Sequence, residues 1–174
     1  MKLSDDDFTL FGLPPKQALQ LTQLDERRRE LQAQVHPDRF AAEGAAAQRL
    51  AMQWAVRVNQ AYARLKDPLS RAAYLCELRG VAIDAERNTA MPTAFLMQQM
   101  QWREALDEAD DGAAVQALDD TVARDEAAML ATLTTQLDKQ QGTAAAAAQV
   151  RALMFVARFR QDIERRLDLL DEHR

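Results

Sequence analysis

The chain has 174 residues and a mass of 19.6 kDa, enough for one medium domain or two small ones. With 22 basic and 27 acidic side chains, a formal charge of −5 and a pI near 5.1, it lacks the overall basic surface that nucleic acid or anionic membrane selects. A single cysteine, Cys76, excludes an internal disulfide and any CxxC metal knuckle, which fits a reducing, cytoplasmic setting.

Gly and Pro together number only ten, while Ala, Leu, Gln, Glu, Arg and Met dominate, so the expected fold is all-α. The N-terminus carries Asp5, Asp6 and Asp7 with no apolar run, unlike a signal peptide, and no stretch is apolar for the length of a bilayer. Charge divides the chain. Residues 1–80 hold 12 basic and 10 acidic side chains, whereas residues 81–174 hold 10 and 17. That shift, at Gly80 and the turn-rich stretch running to Pro92, predicts two units, 1–80 and 81–174.

In the first unit, Pro14-Pro15 separates the short apolar segment Phe8-Thr9-Leu10-Phe11 from a long helical pattern. Leu21, Leu24, Leu31 and Val35 follow helical spacing, and Arg28 fills the remaining place on that stripe, where its stem can pack and its guanidinium can reach outward. The helix must stop near Val35, because Pro37 disfavours the α conformation at His36. A loop containing Gly44 follows. A second long helix is predicted from about Ala45 to Lys66, with Leu50, Trp54, Val58, Ala61 and Leu65 on its apolar stripe. Beyond Pro68 a shorter helix carries Leu69, Ala72, Ala73, Leu75 and Leu78 to a stop at Gly80.

The second unit reads as three helices. The first runs from about Pro92 to the Asp110-Asp111-Gly112 turn, the second from about Ala113 to Leu137, and the third from about Thr143 to Leu170. Leu118, Val122, Met129 and Leu133 line the second helix; Val156, Phe159, Ile163, Leu167 and Leu170 line the third. The alanine run Ala144 to Ala148 is helix, since alanine is the best helix former. Short turns between three long helices predict an antiparallel bundle.

His36-Pro37-Asp38 is the sharpest local motif. By itself it reads equally as a helix stop, with histidine mildly favourable at a helix C-terminus. Its surroundings add to it: Arg27, Arg28 and Arg29 lie on the helix before it, and Asn59-Gln60-Ala61-Tyr62 and Leu65-Lys66-Asp67-Pro68, with Arg71 and Tyr74, come after. In order and spacing, residues 5–76 resemble the J domain, by which co-chaperones stimulate ATP hydrolysis in seventy-kilodalton heat-shock chaperones. The resemblance implies that His36, Pro37 and Asp38 carry the stimulation while Arg27, Arg28 and Arg29 dock on an acidic chaperone surface, raising the rate and fixing the register of encounter.

On the first helix of the second unit, Phe95, Trp102, Leu106 and Ala109 suffice for a bundle seam, and Leu96, Met97 and Met100 lie beside it. Periodicity leaves two readings of those three. They extend the core, since a bundle helix contacts two neighbours, or they form an exposed methionine-rich partner surface continued by Glu104 and Glu108.

Thr93-Ala94-Phe95-Leu96-Met97, Arg103-Glu104 and Leu106-Asp107-Glu108 resemble the HscB family, the J-type co-chaperones of iron–sulfur cluster assembly. So do Phe8-Thr9-Leu10-Phe11-Gly12-Leu13, His36-Pro37-Asp38-Arg39-Phe40 and Arg71-Ala72-Ala73-Tyr74-Leu75. The resemblance covers essentially the whole chain and implies a J domain followed by a three-helix bundle. It further implies an IscU-type scaffold partner on the bundle, contacted by Leu96, Met97, Met100, Gln101, Glu104, Glu108 and Phe155, and an HscA-type chaperone partner on the J domain. Gln101 departs from the family's acidic residue and Met100 from its leucine, the latter nearly conserving volume. The cysteine-based extension of eukaryotic relatives has no counterpart here, so the chain resembles the bacterial type.

A co-chaperone of this kind is not an enzyme, and the chain has no Gly-rich phosphate loop. The only histidines are His36 and His173, so a nucleophile–histidine dyad would have to use His36. Cys76 reads as a packed residue, and one cysteine supplies at most one cluster ligand, so no resident cofactor is expected.

Overall fold

A computed structural model describes residues 2–88 and 90–172, apart from the side chains of Pro37, Ala41 and Glu172. His173 lies outside the described residues. The all-α expectation holds. The helices are α1 (Asp7–Phe11), α2 (Leu21–Val35), α3 (Ala45–Lys66), α4 (Pro68–Leu78), α5 (Thr93–Glu108), α6 (Gly112–Asp138) and α7 (Thr143–Glu172), with a 3₁₀ segment at Pro37–Glu43. Among the described residues, no helix is long and apolar enough to cross a membrane. Close contacts group the chain into two units, Met1–Leu75 and Cys76–Arg174.

In the first unit α2 and α3 pack together as a hairpin, and α1 packs on both. The polar contacts give the direction. Tyr62 lies opposite Asp25 and Arg28, and Asn59 opposite Gln32, so one helix ascends as the other descends. Leu24, Leu31, Val58, Ala61 and Leu65 are buried between them. Leu21 and Leu50, both on the expected stripes, instead remain 47% and 49% exposed. Each lies near an end of its helix, and Ala51 takes the buried place that the stripe assigned to Leu50.

Two small devices fix α1. Asp6 caps its start, accepting from the Thr9 N–H at 3.0 Å and the Thr9 hydroxyl at 2.5 Å. Gly12 ends it at φ +63°, a left-handed conformation that a side chain would strain. Partial burial pushes the Asp6 carboxyl up, but the Thr9 hydrogen bonds outweigh it and hold it below the ordinary carboxylate range. A carboxyl lowered in the folded state stabilises above its unfolded pKa and loses that contribution as pH falls through the folded value. Asp6→Ala is therefore expected to cost about 1 kcal/mol at neutral pH. In thermal unfolding followed across acidic pH, the gap from wild type closes as the carboxyl protonates.

The second unit is the expected bundle. Arg160 of α7 holds Asp119 of α6 through two bonds of 3.0 and 3.1 Å and Glu126 at 3.0 Å, and Gln149 reaches the Met129 carbonyl. These pairs run in opposite senses, so α6 and α7 are antiparallel. Helix α5 meets α7 in the parallel sense: Phe95 against Phe155, Trp102 against Phe159, and the Ala109 carbonyl against Arg166. Val115, Val122, Val156, Phe159 and Ile163 are core, with Leu118, Met129, Leu167 and Leu170 packed at its edge.

Cys76 is fully buried, its thiol 3.9 Å from the Thr143 carbonyl, and burial pushes that thiol up. The thiolate is the nucleophile, so iodoacetamide at pH 7.5 is expected to modify the native chain far more slowly than the denatured one. Equal rates in intact-mass kinetics would contradict that packing.

Candidate functional site

The first candidate region is the tip of the α2–α3 hairpin. His36 is where α2 stops and the 3₁₀ segment begins, with extended backbone at φ −63°, ψ 127°. Its Nδ1 accepts from the Asp38 N–H at 3.3 Å and lies 3.6 Å from Asp38 Oδ2. The Arg39 N–H donates to the His36 carbonyl, and the Arg39 guanidinium donates to Ala33, one of the orphan carbonyls at the end of α2. Pro37 opens the 3₁₀ segment, where a missing N–H does no harm. The result is a tight, locally bonded loop whose functional groups face water: the side chains of His36 and Asp38 are 58% and 90% exposed.

The three arginines of α2 have different environments. Arg27 is half-buried, pairs with Glu30, and donates through Nε to the Phe11 carbonyl at 2.9 Å, beside Gly12. Arg28 lies over Tyr62, its guanidinium carbon 4.1 Å from the ring centroid, while the Tyr62 hydroxyl donates to Asp25 at 2.7 Å. Its stem packs as expected; its head stacks on the aromatic face rather than standing free in water. Arg29 is exposed, with one long contact of 3.4 Å to the Asp25 carbonyl.

Away from the tip, where α1 meets the C-terminal half of α3, lies a polar cluster whose central members, Asp7, Arg57 and Arg64, sequence reading missed. Asp7 is fully buried and ion-paired to Arg57 at 2.7 Å and Arg64 at 3.2 Å, both from α3. Its backbone N–H donates to the Tyr74 hydroxyl, while Tyr74 stacks on Phe8 and beneath Arg64. Buried Arg71 donates to the Gln17 and Leu65 carbonyls. The available signal was the seven-residue spacing of Arg57 and Arg64, which places both on one face of α3.

The second candidate region is α5. Phe95, Trp102 and Ala109 face inward at 5%, 4% and 5% exposure. Leu96, Met97 and Met100 face outward at 39%, 66% and 70%, so they are not an extension of the core. Gln101, Glu104 and Glu108 are exposed on the same helix. Phe155 of α7 is half-buried, edge-on to Phe95 with centroids 5.7 Å apart, and Arg103 lies 5.1 Å over its ring.

Ahead of α5, Arg151 holds the entry loop. Its buried guanidinium donates to Ala90 at 2.7 Å and to Ile83 at 3.1 Å. Pro92 gives the helix no side-chain cap, so this clamp fixes where α5 begins. Among the described residues, no three His, Cys, Asp or Glu side chains come together as a metal site.

A proline-opened, histidine–aspartate tip on a helical hairpin, followed by a helical bundle, defines a J-type co-chaperone. The comparisons agree. Residues 91–164 match the family model of the HSCB C-terminal oligomerisation domain. The chain is 51% identical to the co-chaperone protein HscB homolog of Burkholderia multivorans, over 98% of this chain and 99% of that one. It is 51% identical to the Bordetella petrii homolog, over 92% and 95% of the two chains. Among solved structures, chaperone HscB from Vibrio cholerae matches with a TM-score of 0.80 at 39% identity, covering 95% of this chain and 99% of that one. Human co-chaperone protein HscB matches in fold with a TM-score of 0.86, at 24% identity over 94% and 83%. The chain belongs to the HscB family of co-chaperones, with an N-terminal J domain and a C-terminal helical bundle.

Proposed function

We propose that this co-chaperone, itself without enzymatic activity, brings an IscU-type iron–sulfur scaffold protein to an HscA- or DnaK-class chaperone in the cytoplasm and triggers ATP hydrolysis there. Residues 1–80 act as the J domain and residues 81–174 as the scaffold-binding bundle. His36, Pro37 and Asp38 carry the stimulation, and Arg27, Arg28 and Arg29 dock. Arg29 is the freest of the three to meet an acidic surface; Arg27 also ties α2 to the end of α1, and Arg28 ties it to α3. The scaffold sits on Leu96, Met97, Met100, Gln101, Glu104, Glu108 and Phe155, an apolar centre with an acidic margin.

The observation that carries this reading is the outward face of α5: two methionines and a leucine left in water by a helix whose opposite side is fully packed. Adaptable thioethers suit a protein partner, and the glutamates select a basic one. Calorimetric titration of the full chain with the cluster scaffold protein tests it; saturable one-to-one binding is expected, and no heat at micromolar concentrations contradicts it.

A second reading keeps the J domain and makes the bundle a dimerisation surface, or one for a different client. The match to a domain described as oligomerising favours it. Sedimentation velocity over a concentration series separates the two, because a dimer through Leu96 and Met100 would occlude the scaffold surface.

A further inference from the structure

Helices α5 and α7 run side by side in the same sense, and the face between them does not end at the scaffold contacts proposed above. On α5, Leu96, Met100, Arg103 and Asp107 recur at four, three and four residues, one line along the helix. On α7, Phe155, Asp162, Arg166 and Leu169 recur at seven, four and three. Arg103 lies over the Phe155 ring. Further along, the two lines enclose an open groove of about 400 Å³, lined by Leu106, Asp107, Asp162, Arg165, Arg166 and Leu169. Leu106 is half-buried against the core, and Leu169 is 51% exposed.

We infer that this groove takes a basic side chain of the same scaffold protein, a lysine or arginine whose stem lies on Leu106 and Leu169 and whose cation reaches Asp107. This contact rests on the scaffold reading above and deepens it, because it fixes the register of the scaffold along α5. Continuity is the first argument. Seven residues at 1.5 Å each put Asp107 about 10 Å along the helix axis from Met100. An ordinary interface covers about 800 Å² per partner, a patch roughly 16 Å in radius, so a protein centred on Met100 reaches the groove.

Charge decides what the groove takes. Arg165 pairs with Asp162, and Arg166 donates to the Ala109 carbonyl at 3.1 Å, so both arginines are engaged within the chain. Asp107 is exposed and has no ion pair among the described residues. It stands in the last turn of α5, where the helix dipole favours a cation and no basic residue supplies one. The four charges in the lining cancel, but those around them do not: Glu104, Glu108, Asp110 and Asp111 stand against Arg103 alone. A lysine or arginine suits both halves of the groove, since its methylenes cover apolar surface while its head stays at the wet rim. A second copy is disfavoured, because residues 81–174, with 17 acidic side chains against 10 basic, repel their own kind.

The test is calorimetric titration of the full chain with the scaffold protein at low and high salt. Asp107→Asn is expected to raise Kd about threefold at low salt and less at high salt, as an exposed charge pair requires. Asp107→Lys, which puts like charges together, raises it at least tenfold, and Leu169→Ala about threefold. Asp120→Lys, exposed on α6, makes the same change in net charge and is expected to leave Kd within about twofold of wild type. Among single Lys→Glu and Arg→Glu variants of the scaffold, one is expected to bind Asp107→Lys more tightly than it binds wild type.

If wild type binds and the Asp107 and Leu169 variants match it, the groove proposal falls and the scaffold reading stands. If wild type does not bind at all, both fall. Equal weakening by Asp107→Lys and Asp120→Lys reduces the effect to net charge and overturns the inference. So does self-association in sedimentation velocity that Asp107→Lys abolishes, which would give the groove to a second copy. Should Asp107→Lys lower the melting temperature, Asp107→Asn and the charge-swapped scaffold decide.

Discussion

A His36→Gln chain is expected to leave the chaperone at its unstimulated rate of ATP hydrolysis while binding the scaffold protein with wild-type affinity. The imidazole is more than half exposed, and the loop around it is held by other bonds: the Arg39 N–H on the His36 backbone carbonyl and the Arg39 guanidinium on Ala33. Pro37 also fixes its own φ whatever precedes it. The substitution therefore removes the functional imidazole and one capping bond, from the Asp38 N–H at 3.3 Å, while the Arg39 bonds stay, and stability should fall by no more than about 1 kcal/mol. Single-turnover hydrolysis with saturating co-chaperone reads the loss; calorimetry with the scaffold reads the retained binding. Loss of both together would mean that tip and bundle do not act as independent surfaces.

The Leu96→Ala, Met100→Ala double variant reverses the pattern. Truncating two central apolar contacts is expected to weaken scaffold binding by about 2–4 kcal/mol. That corresponds to a rise in Kd of roughly 30- to 1,000-fold. Both side chains are substantially exposed, at 39% and 70%, so the melting temperature should move little. A core pair would behave in the opposite way, since burying such side chains stabilises by about 1.5–3 kcal/mol each and truncation leaves a cavity as well. Unchanged affinity with a lower melting temperature would exclude this helix face as the docking surface.

The helices were legible in the sequence because proline, glycine and capping residues punctuate them. Pro37 stops α2 at Val35, two residues before it, Asp67 and Pro68 separate α3 from α4, and Asp111 caps α6 by accepting from the Ala114 N–H at 2.7 Å. The seam residues Phe95, Trp102 and Ala109 are buried as their seven-residue spacing requires. Periodicity was weaker at helix ends, where a stripe runs past its partner, and this is why Leu21 and Leu50 are exposed. It also could not choose between core and surface for Leu96, Met97 and Met100, because that choice depends on how many neighbours α5 has.

Buried polar groups were the least legible. Asp7 stood in a run of three aspartates that reads as a solvated terminus, yet it alone of the three is fully buried, between Arg57 and Arg64. Arg151 sits in an otherwise apolar stretch, and only the folded chain shows the Ile83 and Ala90 carbonyls it serves. Likewise the 3₁₀ segment read as loop, since its bonds are local and its composition has no period.

The most direct test of the coupling between the two surfaces is steady-state ATP hydrolysis by an HscA-class chaperone, titrated with scaffold protein at a fixed, subsaturating concentration of this co-chaperone. The expected result is stimulation at scaffold concentrations far below those needed without the co-chaperone, with Leu96→Ala, Met100→Ala losing the scaffold-dependent part and His36→Gln losing all of it. The same scaffold dependence with and without the co-chaperone would contradict delivery.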